Sequence, residues 1–185
     1  LQQAVPILGL QSSSLSGRKI LDLKYKRLKG EARNGLGVHR STIYNALLRQ
    51  ASSSKNVTFV WDSEIQDCTN LGNKVTVFVN ESEREYDLCI LASGSNSNLA
   101  KQHFKGRIKK PYGWGCLWTT LDLPQGLSPN ILHQRCHQSS KMMGILPIRK
   151  KGDKYEAALY WSMKNEDADG FNQHTFAAVK DEMLA

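Results

Sequence analysis

The sequence predicts an α/β fold interleaved with a mostly antiparallel β-sheet. Three observations carry that expectation. Apolar residues at helical spacing follow Ser41 and Thr42. The continuous apolar run Leu88–Ala92 ends at Ser93–Gly94. Strand-like runs rich in Trp, Tyr and Met follow Pro111.

Leu1–Leu10 is apolar, and the Ser-rich stretch Gln11–Gly17 is expected to be a loop. Ile20, Leu23 and Tyr25 fall among polar partners between Arg18 and Leu28, the pattern of a strand that turns at Lys29–Gly30. Gly35–Leu36–Gly37 is expected to break the chain. Ser41 and Thr42 offer N-cap oxygens, and Ile43, Tyr44, Ala46, Leu47 and Leu48 form one helical face that ends in Ala51–Ser54. Val57, Phe59 and Trp61 alternate as a short strand, and Asp62–Glu64 turns the chain. Asn70–Asn73 turns it again into the half-buried strand of Val75, Val77 and Val79, and Glu81–Glu85 reads as a charged tip. Leu88–Ala92 has no polar alternation, which suits a parallel strand buried on both faces. Beyond Pro111, Trp114–Leu123, Lys141–Ile148 and Tyr155–Met163 read as strands, separated by Pro124–Gly126 and Lys150–Asp153. Asn165–Gly170 reads as a polar loop, and Phe176, Val179 and Met183 mark a final amphipathic helix.

Composition narrows the function. With 185 residues, 40% hydrophobic and 23% charged, the chain is globular rather than disordered and can bury a core. No apolar stretch has the length of a membrane span. The net charge is +8, but the Lys and Arg residues come in short groups around Lys24–Lys29, Lys105–Lys110 and Arg149–Lys154, where turns fall. The aromatic residues sit on strand-like positions and not among these cations, so no nucleic-acid partner is expected. The four cysteines, Cys68, Cys89, Cys116 and Cys136, show neither CxxC nor zinc-finger spacing. Scattered free thiols point to a reducing compartment, hence a cytoplasmic location, and no metal site is expected. The histidines lack HExxH spacing, Gly94–Ser97 lacks the GxSxG pattern, and no P-loop is present.

Three segments in order carry a family resemblance. Val38–His39–Arg40–Ser41–Thr42–Ile43, continuing to Leu47, resembles the "HR-x-x-L-x-x-x-L" segment of class A FAD-dependent monooxygenases, the aromatic-ring hydroxylases. Tyr86–Ser97 resembles their "D-L-x-I-x-A-D-G-x-x-S-x-x-R", with Ser93 in place of the Asp and Ala100, beside Lys101, in place of the Arg. Tyr112–Trp118, Gln134–Arg135, Met142–Ile148 and Ala158–Ser162 are similar to their substrate-domain strands. Val57, Phe59, Trp61 and Ile65 follow the family's "V-x-L-x-L-G-x-x-V" rhythm.

The resemblance implies an FAD-binding portion of Rossmann-like, p-hydroxybenzoate hydroxylase type and a substrate-binding sheet. Residues 1–16 and 34–107 would form the first and residues 17–33 and 108–185 the second. Arg40 would meet the flavin nucleotide, where a guanidinium fork and helix N-terminal N–H groups suit a pyrophosphate. Ile65 would border the adenine, and the Ser93–Gly94 turn would approach the dinucleotide at the end of a strand. Arg135, Met143 and Trp161 would line the substrate site, Arg135 anchoring a carboxylate; for any single residue of these strands, a place in the sheet core is the first expectation. No catalytic acid or base is singled out. FAD is the implied cofactor, NADH or NADPH the co-substrate, and O2 with a small aromatic molecule the other partners. A non-hydroxylating flavoprotein and a basic binding module are the rival readings. The Gly-x-Gly-x-x-Gly phosphate loop is not in this sequence, and no "GD" motif follows the substrate-domain strands, so the chain is expected to be an internal piece that binds FAD poorly by itself.

Overall fold

The computed structural model describes residues 4–27, 34–106, 110–137 and 141–168. The turn expected at Lys29–Gly30 and the helix expected around Phe176, Val179 and Met183 lie outside the described residues. The chain parts into two compact units, Leu1–Ala51 with Tyr112–Ala185, and Ser52–Pro111.

The first unit opens with β1 (Val5–Ile7) and β2 (Gly9–Ser14), then β3 (Lys19–Lys24) and β4 (Gly35–Gly37). The Ser-rich stretch expected to be a loop is therefore strand through Ser14. Ser12 is 6% exposed, and its backbone lies between neighbours on both sides, which outweighs the weak strand propensity of serine. Gly35–Leu36–Gly37 does not break the chain; it pairs antiparallel with β1. Glycine is required at 37 by proximity, because a Cβ there would stand 1.8 Å from the Pro147 carbonyl oxygen.

Helix α1 (Arg40–Ser52) follows. Past residue 111 come β8 (Trp114–Asp122), β9 (Ile131–His137), β10 (Lys141–Lys151), β11 (Lys154–Lys164) and the one-turn α3 (Asn165–Ala168), which stands where a loop is expected. Six strands form one sheet in the order β3-β2-β9-β10-β11-β8, every pair antiparallel except β2 with β9. Period-two alternation sends Ile145, Ala157, Leu159 and Trp161 to one face, where they form a buried cluster with Leu121, Leu127 and Met143 against it.

The second unit is a meander of β5 (Ile65–Asn70), β6 (Val75–Val79) and β7 (Ser82–Tyr86), followed by α2 (Asn98–His103). The expected charged tip is mostly strand. The true tip is Asn80–Glu81, both at positive φ (46° and 66°), which suits a two-residue hairpin. Two expected strands are not strands. Val57–Trp61 and Leu88–Ala92 lie outside every strand, and among the described residues no strand pairs with either. Leu88 and Ile90 are 73% and 79% exposed, against the expected burial on both faces. The apolar run records what the segment can bury, but a parallel strand also needs ladder partners.

His103 joins α2 to β5. Its Nε2 lies 2.8 Å from Asp67 Oδ1, which also accepts from the Cys68 amide at 2.8 Å. These contacts, that of His103 foremost, hold the Asp67 carboxyl below its ordinary 3.8. A depressed carboxyl adds stability that is present above its unfolded value and lost as pH falls through the folded one. Substituting His103→Ala is expected to move the Asp67 titration upward toward 3.8, as read by carboxyl NMR. An unmoved midpoint would show that His103 is not the cause.

Candidate functional site

The sheet register brings the three expected substrate residues together. Met143 on β10 stands opposite Arg135 on β9 and opposite Trp161 on β11, so the three form one cross-strand row. All three line a small hollow of about 20 Å³, with Leu15, His137 and Lys141 at its edge. Arg135 and Met143 also border a larger open hollow of about 260 Å³, together with Gln11, Lys19, His133 and Ile145.

The floor of these hollows is apolar, from Met143, Ile145 and Trp161, and the rim is polar and cationic. Among the described residues no Asp or Glu lines either one, though Asp22 is bonded to Lys19 at the border of the larger. Lys141 Nζ sits 5.7 Å from the centre of a Trp161 ring, a cation–π contact. Lys19 is paired with Asp22 at 3.0 Å, and this contact holds the Asp22 carboxyl low. His133 is oriented by its Nε2, 3.1 Å from the Ser128 carbonyl. An apolar floor with donors and cations at its border suits a flat anionic molecule. On the opposite face the Tyr160 hydroxyl accepts from Gln134 Nε2 at 2.7 Å, and burial raises its pKa.

Sequence reasoning named Arg135, Met143 and Trp161 but missed Gln11, Lys19 and His133. Their signal was faint. They become neighbours only because β2 lies parallel to β9, pairing Gln11 with His133.

Arg40 is the first residue of α1 and is exposed. Ser41 and Thr42 are not the cap, as they lie inside the helix. His39 takes that place: its carbonyl accepts from the Thr42 amide at 2.9 Å and its Nδ1 from the Ser41 amide at 3.2 Å. Ile43, Tyr44 and Leu47 on this helix are 43%, 55% and 67% exposed.

Ile65, Ser93 and Gly94 belong to the second unit. Ile65 opens β5 opposite Val79 and is 42% exposed. Ser93 Oγ donates to Ser97 Oγ at 2.6 Å, and Ser97 Oγ accepts from the Ala100 amide at 3.2 Å, capping α2. Gly94 has φ 86°, a conformation that costs a side-chain-bearing residue, and nothing stands within 4 Å of a Cβ built there. The glycine serves the turn's dihedral and leaves its backbone open to approach.

No family model matches the sequence, and no curated protein matches it. Solved structures do match, and the fold is mixed α/β like the matching part of those chains. PqsL from Pseudomonas aeruginosa, a probable FAD-dependent monooxygenase, superposes with a TM-score of 0.70 at 15% identity, over 90% of this chain and 45% of that one. PqsL in complex with 2-aminobenzoylacetate gives 0.71 at 15% identity over the same shares. A flavoprotein/dehydrogenase from Cytophaga hutchinsonii gives 0.68 at 15% identity, over 91% of this chain and 42% of that one. At this identity the likeness concerns the fold, and the chain spans less than half the length of these neighbours. Among the described residues no helix is long and apolar enough to cross a membrane.

Proposed function

We propose that this chain is part of an FAD-dependent, NAD(P)H-consuming monooxygenase that hydroxylates an aromatic or similar small organic substrate, with O2 as co-substrate. The row Arg135–Met143–Trp161, lining a hollow with Lys141 and His137 beside it, is the observation that carries the reading. PqsL, the neighbour with an aromatic keto acid bound, gives it further support.

On this reading the ring lies over Met143, Ile145 and Trp161, and Arg135 receives the carboxylate as a planar pair of donors. FAD, when bound, supplies the redox chemistry. The residues that would hold it fit the group in kind: Arg40 is exposed at a helix start, and the Gly94 backbone is unobstructed. Ile65 would border the adenine. Ser93 offers a hydroxyl, already bonded to Ser97, where the family carries a charge. The cofactor portion would comprise residues 1–16 and 34–107 and the substrate portion 17–33 and 108–185, with the strand Gly9–Ser14 running in the sheet of the latter. The four free cysteines support a cytoplasmic setting.

A second reading, a flavoprotein oxidoreductase that does not hydroxylate, is favoured by Ser93 and by the flavoprotein/dehydrogenase neighbour. The FAD-loaded whole protein, given NAD(P)H and a panel of aromatic acids, separates the two. O2 uptake matched by a product one oxygen heavier is expected; substrate-stimulated NAD(P)H oxidation without that product selects the second reading. Arg135→Ala should raise KM for the carboxylate substrate about tenfold or more, as loss of a charge-assisted hydrogen bond implies, with a smaller change in kcat.

A further inference from the structure

The cross-strand row of Arg135, Met143 and Trp161 does not stop at Arg135. On the far side β2 sets Ser13 beside Arg135, and β3 sets Lys19 beside Ser13. The row thus runs Lys19–Ser13–Arg135–Met143–Trp161: two cations with a hydroxyl between them, then a thioether and an indole. A register shift puts the lysine there. Leu21 pairs with Ser12 and Lys19 with Ser13, so the ladder skips Ile20. Unshifted pairing would set apolar Ile20 opposite Ser13; the irregularity re-aims the strand and puts a charge in its place. Lys19, Ser13, Arg135 and Met143 all border the hollow of about 260 Å³. Neighbouring strands lie about 4.8 Å apart, so Lys19 and Arg135 spring from backbones roughly 10 Å from each other. That spacing suits two anionic groups on one small molecule better than a single carboxylate. The Lys19 side chain is 67% exposed and bonds Asp22 at 3.0 Å. An ammonium has three donors, so this pair leaves two for a ligand.

We propose that Lys19 and Ser13 form a second anion subsite, and that the substrate is an aromatic diacid with one carboxylate on Arg135 and the other on Lys19. The inference rests on the proposed function for the place of the ring and for Arg135. The Ser13 hydroxyl, between the two cations, donates to a carboxylate on either side. Asp22 acts in two senses: its bond steadies the ammonium, and its like charge opposes the incoming second carboxylate. A substrate with a single acid would engage Arg135 and gain nothing from Lys19.

Equilibrium dialysis of the whole protein against benzoate, isophthalate and terephthalate tests this. At least one diacid should bind about tenfold or more tighter than benzoate, as an added charge-assisted hydrogen bond implies. Lys19→Met should erase that advantage and leave benzoate binding nearly unchanged, while Lys19→Arg keeps it. Asp22→Asn removes the like charge and should tighten the diacid alone; a lysine that merely props β3 would give no such gain. If Lys19→Met does not fold, Asp22→Asn and the comparison in the unsubstituted protein still decide. Diacids no tighter than benzoate, or a loss in Lys19→Met that is equal for both kinds of acid, would overturn the second subsite. Benzoate binding that survives Arg135→Ala would instead count against Arg135 as the first anchor, so the two failures are told apart, and neither readout depends on turnover.

Discussion

Replacing Gly37 with alanine will lower the stability of the first unit by about 3 kcal/mol, the upper range for forcing added volume into a packed site. The new Cβ would lie 1.8 Å from the Pro147 carbonyl oxygen, 3.0 Å from its carbon and 3.3 Å from Ile7 Cδ1. A side chain could swing away from such a contact, but a backbone carbonyl cannot. Pro147 is fully buried and sits on β10, where it pairs with Ala157 of β11. Relief must therefore come from lifting β4 off β10, which uncovers Val5 and Ile7, now 2% and 3% exposed. The urea midpoint measures the effect. Gly106→Ala, where nothing stands within 4 Å, serves as the control and should leave that midpoint in place. Equal midpoints for the two variants would refute the close approach.

Trp161→Ala will cost about 3–5 kcal/mol, the range for truncating a large buried aromatic. Trp161 is 9% exposed and shares its cluster with Ile145, Ala157 and Leu159. Its removal leaves a void beside Met143, because β10 and β11 are held in register along their length and cannot close together. Trp161→Phe keeps most of the contact and should cost clearly less. Thermal melts of both variants give the comparison. The same truncation strips the floor from the small hollow and the ring from beneath Lys141, so binding of aromatic acids should fall with stability. Retained stability in the alanine variant would mean that Trp161 is not a core residue.

Three strands of the large sheet, β8, β10 and β11, were readable in the sequence because they carry long apolar or alternating runs. Trp114–Asp122 and Lys154–Lys164 alternate as the pleat demands, and Lys141–Lys151 carries a long apolar run. β9 was marked only through Gln134–Arg135 in the family resemblance, because ILHQRCH gives up apolar alternation for His133 and Arg135, the residues that border the hollow. Gln11–Ser14 escaped for a related reason: serines are poor strand formers that a central position in a sheet accommodates. Leu88–Ala92 failed the other way, since apolar character reports a wish for burial and says nothing about which chain supplies it. Within the candidate site, Arg135, Met143 and Trp161 were identified from short motifs, while Gln11, Lys19 and His133 depend on a pairing that no local pattern encodes.

That pairing bears on how the molecule forms. Ser12 and Cys136, bonded across β2 and β9, are 124 positions apart in the chain, and the strands between them cannot seal the larger hollow without that closure. Loop-closure entropy is spent before such contacts give anything back, so hairpins such as β10–β11 assemble early and the β2–β9 seam late. If the sheet takes a small anion as proposed above, its capture reports a finished topology: during refolding, strand signal returns first and ligand retention last.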